Sequence, residues 1–126
     1  MHDFRKLKVW EKSHDLTVDI YLLTKGFPRE EQFGLTSQLR KSGSSIAANI
    51  AEGCGRGSKP DFVRFLWIAM GSAFEVHQHI LLAQALNYLS SVECGELESR
   101  IVEIKKMLTG LISKTSDREV RWKKTE

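Results

Sequence analysis

The amino-acid sequence predicts an all-α protein, an antiparallel up-down-up-down four-helix bundle, and three observations lead to this fold class. Four long segments repeat their apolar residues at the 3.6-residue spacing of a helix, and no segment alternates apolar and polar residues as a half-buried strand would. Short breaks separate the four segments, and short connections favour antiparallel neighbours. The length of 126 residues suits one compact domain.

The first predicted helix covers residues 5–25. Its apolar residues fall on one stripe, formed by Val9, Leu16, Ile20 and Leu23. The run Gly26-Phe27-Pro28 ends this helix, because glycine tolerates the left-handed conformation after a last turn and proline cannot continue a helix.

The second predicted helix, residues 33–51, has two unusual faces. One face is apolar and is formed by Leu35, Leu39, Ile46 and Ile50. The opposite face holds small side chains around one lysine: Ser37, Lys41, Ser44, Ala48 and Ala51. Because serine and glycine lower helix propensity, we expect this helix to pack closely on two sides. An exposed helix with a poor helical sequence is the alternative.

The third predicted helix, residues 59–89, is the longest and follows a glycine-rich link. Ser58 can cap its first turn, where Pro60 is tolerated. One stripe of this helix is typical of a core and is formed by Phe62, Phe65, Leu66, Ala69, Ala73, Val76 and Ile80. A second, lateral stripe is formed by Trp67, Met70, Phe74 and Leu81.

The apolar surface of the second and third helices exceeds what one bundle core needs. Surplus apolar surface usually marks a partner interface, and the simplest partner is another copy of the same chain. We therefore predict a homo-oligomer. Its predicted interface combines the small residues of the second helix with the lateral stripe of the third: Ser37, Ser44, Ala48, Ala51, Trp67, Met70, Phe74 and Leu81.

The fourth predicted helix covers residues 96–114, with an apolar stripe formed by Leu97, Ile101, Ile104, Leu108 and Leu111. Residues 115–126 are polar and charged, with Trp122 as their large apolar group. We expect residues 1–114 to form the bundle and residues 115–126 to form a charged, flexible C-terminal tail.

The net charge of +3 arises from residues 34–60, and the sequence pI is about 9.0. Such a charge permits binding to a polyanion without requiring it. No apolar run approaches the roughly 18 residues that span a bilayer, and the N-terminus lacks an apolar signal core. These features predict a cytoplasmic protein without a membrane partner.

No sequence pattern predicts a catalytic, metal or cofactor site. On a helix, His77 and His79 point about 200° apart, so they cannot hold one metal ion together. The order Gly57-Ser58-Lys59 is not the Gly-Lys-Ser ending of a phosphate-binding P-loop. We expect no enzymatic activity, and we expect His77 to make a hydrogen bond or to face a subunit interface.

The glycine-rich link before the third helix has two interpretations. An anion could meet backbone amides at the start of that helix, with Arg56 and Lys59 adding positive charge. Alternatively, the glycines only turn the chain, and Arg56 pairs with a carboxylate such as Glu52. Cys54 is either an ordinary thiol or a reactive one favoured by the helix N-terminus.

A set of short motifs occurs in order over about residues 4–90. The most specific is Asn49-Ile50-Ala51-Glu52-Gly53, and others are Phe4-Arg5-Lys6-Leu7-Lys8-Val9-Trp10, Phe33-Gly34-Leu35 and Ile68-Ala69-Met70-Gly71-Ser72. In these motifs the chain resembles the four-helix-bundle proteins encoded in 23S rRNA intervening sequences. The resemblance implies an antiparallel bundle that assembles into a ring-like homopentamer. The family is similar in fold to the accessory variability determinant of diversity-generating retroelements, a basic pentamer that binds nucleic acid and a reverse transcriptase.

The leading hypothesis is a non-enzymatic homo-oligomer that binds nucleic acid, most simply RNA, through phosphate contacts. The candidate contacts are the cations of residues 34–60 and of the tail: Arg40, Lys41, Arg56, Lys59, Arg118, Arg121, Lys123 and Lys124. The alternative is a protein-interaction adaptor or scaffold, for example for a reverse transcriptase, without direct nucleic-acid binding.

Overall fold

The structure, a computed structural model, describes the backbone of residues 3–125 and the side chains of residues 3–116. Four α-helices and two short 3-10 turns account for the described secondary structure, and no strand occurs within residues 3–125. The prediction of an all-α, four-helix protein is confirmed. The helices are α1 (Lys8–Thr24), α2 (Leu35–Cys54), α3 (Lys59–Ala85) and α4 (Ser91–Thr125), and the 3-10 turns are Phe4–Lys6 and Arg29–Glu31.

The N-terminal boundary of α1 lies three residues later than predicted, because a 3-10 turn precedes the helix. The Asp3 carboxylate accepts a hydrogen bond from the Arg5 amide at 3.1 Å and caps that turn. Leu7 is then extended, with φ −82° and ψ 122°, so the regular helix begins at Lys8. The α1 helix ends at Thr24, just before the predicted Gly26-Phe27-Pro28 break.

The link between α3 and α4 is also shifted from its predicted position. The α3 helix ends at Ala85, and Asn87 has a φ of 64°, a left-handed conformation that asparagine tolerates better than most residues. The next helix starts at Ser91 because Ser90 and Glu93 form a reciprocal capping box. The Ser90 hydroxyl accepts from the Glu93 amide at 3.0 Å, and the Glu93 carboxylate accepts from the Ser90 amide at 2.9 Å.

Helix α4 continues through Thr125, so its backbone extends over most of the residues that the sequence assigned to a tail. Side chains beyond residue 116, including Trp122, lie outside the described residues. The division into a bundle of residues 1–114 and a tail of residues 115–126 stays a prediction.

The core follows the predicted stripes and draws on all four helices. Helix α1 packs against α2 and α4, and α3 packs against α2 and α4. The largest fully buried side chains are Leu16, Ile20, Leu39, Ile46, Ile50, Cys54, Leu66, Val76, Ile80, Ile101, Ile104 and Leu108. Burying an aliphatic side chain of this size contributes about 1.5–3 kcal/mol, so the stripes account for most of the favourable packing.

Helix α2 approaches both of its neighbouring helices closely. Gly43 lies against α1, where the Thr17 hydroxyl donates to the Gly43 carbonyl oxygen at 2.9 Å. A Cβ added at Gly43 would come within 3.3 Å of Ile20 Cδ1. On the other side of α2, the Ser72 hydroxyl of α3 donates to the Ser45 hydroxyl at 2.8 Å. These contacts use the core-facing half of α2. On its opposite face Lys41, Ser44 and Ala48 are exposed, so close packing of that face stays a prediction. No described helix is long and apolar enough to cross a membrane.

Candidate nucleic-acid interface and assembly face

Arg40, the first predicted nucleic-acid contact, is engaged within the bundle. Its Nε donates to the Thr24 hydroxyl at 2.9 Å, and one terminal nitrogen donates to the Tyr21 carbonyl oxygen at 3.2 Å. The guanidinium also lies 4.8 Å from the centre of the Tyr21 ring. These contacts place a cation at the C-terminal end of α1, where the helix dipole favours positive charge. Arg40 therefore has a structural role in joining α2 to α1.

Lys41 and Arg56 both lie on or next to α2, but far apart. Fifteen residues separate them, and a rise of 1.5 Å per residue corresponds to about 20 Å. Lys41 is exposed on the outer face of α2, whereas Arg56 lies just after its C-terminal end. The structure therefore does not bring the predicted cations of residues 34–60 into one patch.

A smaller cluster of cations does form where α2 turns into α3. We call Arg56, Lys59 and Arg64 the basic turn; all three are exposed. The Arg56 and Arg64 guanidiniums lie 4.8 Å and 4.6 Å from the centre of the Phe65 ring. Cation–π contacts of this kind hold both arginines near one aromatic ring. The predicted nucleic-acid contacts did not include Arg64. Its position just over one helical turn after Lys59 places it near the same end of α3.

Two carboxylates moderate the charge of the basic turn. Arg56 pairs with Glu52 at 3.0 Å, as the second interpretation of the link anticipated, and Arg64 lies 3.5 Å from Asp61. Both pairs are solvent-exposed, and such pairs contribute little to stability. The arginines can therefore exchange these partners for a phosphate at small cost.

The basic turn borders an open cavity of about 180 Å³. Its lining includes Arg56, Gly57, Ser58 and Lys59, together with the edge of Phe62. The Ser58 hydroxyl accepts from the Asp61 amide at 3.3 Å and caps α3, as the sequence predicted. The cavity is large enough for a single phosphate-sized group beside two cations.

The remaining four predicted nucleic-acid contacts belong to the C-terminal segment. Arg118, Arg121, Lys123 and Lys124 have side chains that lie outside the described residues.

The outer face of α3 is unusually apolar for a surface. We call the exposed large side chains of this face, together with Leu86 just after the helix, the assembly face: Trp67, Ile68, Phe74, Leu81, Leu82 and Leu86. Trp67 and Phe74 are 57% and 58% exposed, which is a high value for aromatic residues. The small residues of α2 lie on the adjoining helix, with Ser44 and Ala48 exposed and Ser37 and Ala51 half-buried. Seven of the eight predicted interface residues thus keep accessible surface.

Met70 is the exception among the predicted interface residues. It is only 7% exposed and belongs to the hydrophobic core. Its position on α3 is rotated by about 60° from Trp67, toward the buried side of the helix. Met70 therefore contributes to the interior of the subunit and offers little surface to a second one.

A polar network joins α3 to α4, and in it His77 makes the hydrogen bond that was one of its two predicted roles. His77 Nε2 lies 2.6 Å from a carboxylate oxygen of Glu98, and its Nδ1 lies 2.7 Å from the Lys105 Nζ. Lys105 Nζ also lies 3.8 Å from the centre of the Phe74 ring. Partial burial lowers the pKa of the Lys105 ammonium from its ordinary value. The network connects the partly exposed Glu98 and Lys105 of α4 to the edge of the assembly face.

The two thiols are both internal. Cys54 and Cys94 are each 2% exposed and unpaired, and burial raises the pKa of each thiol above its ordinary value of 9.0. A buried, protonated thiol is a poor nucleophile. The interpretation of Cys54 as a reactive thiol therefore has no support. Within the described residues, no group of three or more histidine, cysteine or acidic side chains could hold a metal ion.

The arrangement of helices and motifs matches one protein family. A model of the 23S rRNA-intervening sequence protein matches residues 5–110. The chain belongs to this family. A similar fold occurs in the 1.70 Å crystal structure of a protein with unknown function from the S23 ribosomal protein family of Bacteroides thetaiotaomicron. The two chains share 29% identity and a TM-score of 0.75, over 82% of this chain and 97% of the other. No curated protein matches the chain.

In this member of the 23S rRNA-intervening sequence protein family, the Asn49-Ile50-Ala51-Glu52-Gly53 motif holds α2 against α3. The Asn49 amide nitrogen donates to the Ser45 carbonyl oxygen at 2.8 Å and lies 2.9 Å from the Ser45 hydroxyl. Ser45 in turn accepts from Ser72. Ile50 is fully buried, and Gly53 lies directly against Phe62 and Phe65. This motif therefore stabilises the packing of α2 on α3. It also positions the basic turn, which follows it in the sequence.

Proposed function

We propose that this member of the 23S rRNA-intervening sequence protein family is a non-enzymatic, cytoplasmic homo-oligomer that binds RNA through phosphate contacts at the basic turn. The observation that carries the proposal is that Arg56 and Lys59 line an open cavity at the start of α3, while Arg64 shares the Phe65 ring with Arg56. Guanidinium groups and backbone amides at a helix N-terminus are both suited to phosphate oxygens. The family description, which refers to an rRNA intervening sequence, supports RNA over DNA.

The proposed subunit is an antiparallel up-down-up-down bundle, and contacts between neighbouring helices support this arrangement. Thr17 and Thr24 of α1 contact Gly43 and Arg40 of α2, so residue numbers fall along α2 as they rise along α1. The same reversal occurs between α1 and α4, where Lys12 pairs with Glu103 and Asp19 pairs with Arg100.

The proposed assembly is a ring of five subunits, the number that the family resemblance implies. The assembly face on α3 supports self-association, because six large apolar side chains there are at least 40% exposed. In our proposal, Trp67, Phe74 and Leu81 of one subunit pack on the small outer residues of α2 in the next. Large side chains opposite small ones allow two helices to approach closely. Such a head-to-tail contact between unlike surfaces closes into a five-membered ring when each subunit is rotated by one fifth of a turn from the last.

Assembly would strengthen RNA binding by repeating a weak site. One chain has a net charge of +3, and five chains would together carry about +15. Phosphate contacts release counterions from the RNA, so binding should weaken steeply with salt and depend little on sequence. A single basic turn, partly balanced by Glu52 and Asp61, would bind only weakly on its own.

Charge reversal tests this proposal directly. In the variant Arg56→Glu/Lys59→Glu/Arg64→Glu, we expect RNA binding by fluorescence anisotropy to fall by about tenfold or more at moderate salt. The matched control reverses three exposed lysines elsewhere, Lys8→Glu/Lys25→Glu/Lys106→Glu, with the same change in net charge. Equal losses in both variants would mean that overall charge, and not the basic turn, governs binding. Retained affinity in the first variant would exclude the basic turn as the site.

A further inference from the structure

The groove between α1 and α4 has features that RNA binding does not explain. It encloses about 400 Å³, roughly the lower range of volumes seen for ligand-binding sites. Its floor is apolar and is formed by Leu22 and Leu23 of α1 and Leu97 of α4. The Leu22 side chain is 56% exposed. Val18, one turn earlier on α1 and outside the lining, is 46% exposed. Leu22 therefore presents apolar surface to solvent beside the half-buried Leu23, whereas Leu97 below them is 4% exposed.

The rim of the groove is acidic. Asp19, Glu93 and Glu96 line it, and Arg100 is their only basic neighbour in the lining. Arg100 is already paired with Asp19, at 2.6 Å between Nη1 and Oδ2. The groove thus has a negative local charge on a chain whose net charge is +3. A polyanion such as RNA would be repelled here, whereas a cationic partner would be attracted.

The location of the groove separates it from the surfaces assigned above. Within the described residues, no Cα atom of α1 lies within 8 Å of one in α3, as expected for helices at diagonal positions in the bundle. The groove is lined by residues of α1 and α4 alone, none of which belongs to the assembly face or to the basic turn. A partner bound there would leave both self-association and the basic turn unobstructed.

We infer that the α1–α4 groove docks a short basic amphipathic helix of a protein partner. A third helix fits a groove between two helices, with apolar side chains in the floor and charged ones at the rim. Residues 93–100 of α4 extend about 10 Å along the groove, so two to three helical turns would fill it. The leucines of the partner helix would cover Leu22 and the accessible part of Leu23, and its lysines or arginines would pair with Glu93 and Glu96. This inference does not depend on RNA binding.

A defined probe tests the inference: a fluorescein-labelled helical peptide of lysine, alanine and leucine, about three turns long, with leucines three and four residues apart. We expect it to bind the full-length protein in anisotropy titrations. The variant Leu22→Ala/Glu96→Lys should weaken binding by about tenfold or more. The matched control, Phe33→Ala/Glu11→Lys at exposed positions outside the groove and the assembly face, should leave binding unchanged.

Three results would overturn the inference. A peptide with its leucines replaced by serine could bind equally well, which would reduce the groove to a nonspecific acidic surface. Competition between RNA and the peptide that the groove variant abolishes would identify RNA as the occupant of the groove. A change in oligomer mass in the groove variant would identify the occupant as a second copy of the chain. Failure here is distinguishable from failure of RNA binding, because the groove variant should retain RNA affinity and the basic-turn variant should retain peptide affinity.

Discussion

Gly53 on α2 lies so close to Phe65 on α3 that a Cβ added to the glycine would come within 3.0 Å of the Phe65 Cβ. The same added atom would lie 3.3 Å from the Phe62 carbonyl oxygen, which is backbone and cannot rotate away. We expect Gly53→Ala to lower the free energy of unfolding by about 1–3 kcal/mol, the usual cost of overpacking. This loss should exceed the gain of up to about 1 kcal/mol in helix propensity. Urea unfolding at a constant protein concentration measures the difference.

The matched control for that substitution is Gly110→Ala on α4. No atom lies within 4 Å of an added Cβ there, so only the propensity gain remains. We expect Gly110→Ala to stabilise the protein by up to about 1 kcal/mol. If both variants were equally stable, the close approach of α2 and α3 at Gly53 would be of no energetic importance.

Arg40 and Lys41 are adjacent in sequence but should differ in effect. Arg40→Ala removes hydrogen bonds to Thr24 and Tyr21, so we expect a loss of about 1.5–3 kcal/mol, typical of hydrogen bonds to a charged group. Lys41→Ala changes an exposed side chain and should stay within about 0.5 kcal/mol of the wild type. Thermal unfolding followed by circular dichroism compares the two. Equal stabilities would contradict the structural role of Arg40.

The buried thiols predict a specific dependence of stability on pH. Burial raises the pKa of Cys54 and Cys94 above 9.0 in the folded state. Above about pH 9 the folded protein therefore retains protons that the unfolded chain releases, and stability decreases as pH rises. The lowered pKa of Lys105 acts in the opposite direction, so the total change does not isolate the thiols.

A difference between two proteins isolates the thiol effect. The stability gap between the wild type and Cys54→Ala/Cys94→Ala should be constant below about pH 8 and should shrink as pH rises through 9 and above. Urea unfolding under reducing conditions at several pH values gives this gap. A gap that is independent of pH would show that the thiols titrate alike in the folded and unfolded states.

Helical periodicity predicted the elements and most of the core, because a 3.6-residue repeat is a local property of sequence. The Ser90–Glu93 capping box was equally local and could have placed the start of α4 correctly. The burial of Met70 could not be predicted from its stripe of apolar residues, because that stripe lies at the boundary between the buried and exposed faces of α3.

Contacts between distant residues could not be predicted in this way. Arg40 reaches Thr24 only because α2 begins beside the end of α1. His77 and Glu98 are 21 residues apart and meet only once α4 has packed on α3. The acidic α1–α4 groove likewise combines two helices at opposite ends of the chain. The basic turn was the more predictable site, because its residues are close in sequence.

The most direct test of the proposed function is the mass of the full-length protein by multi-angle light scattering, alone and with a structured RNA. We expect the free protein to be five times the chain mass of 14.4 kDa and to gain the mass of bound RNA at low salt. Trp67→Glu/Phe74→Glu, which places charges in the assembly face, should reduce the mass to that of one chain while the helical content stays unchanged. A wild-type protein that stays at 14.4 kDa, with or without RNA, would contradict the account.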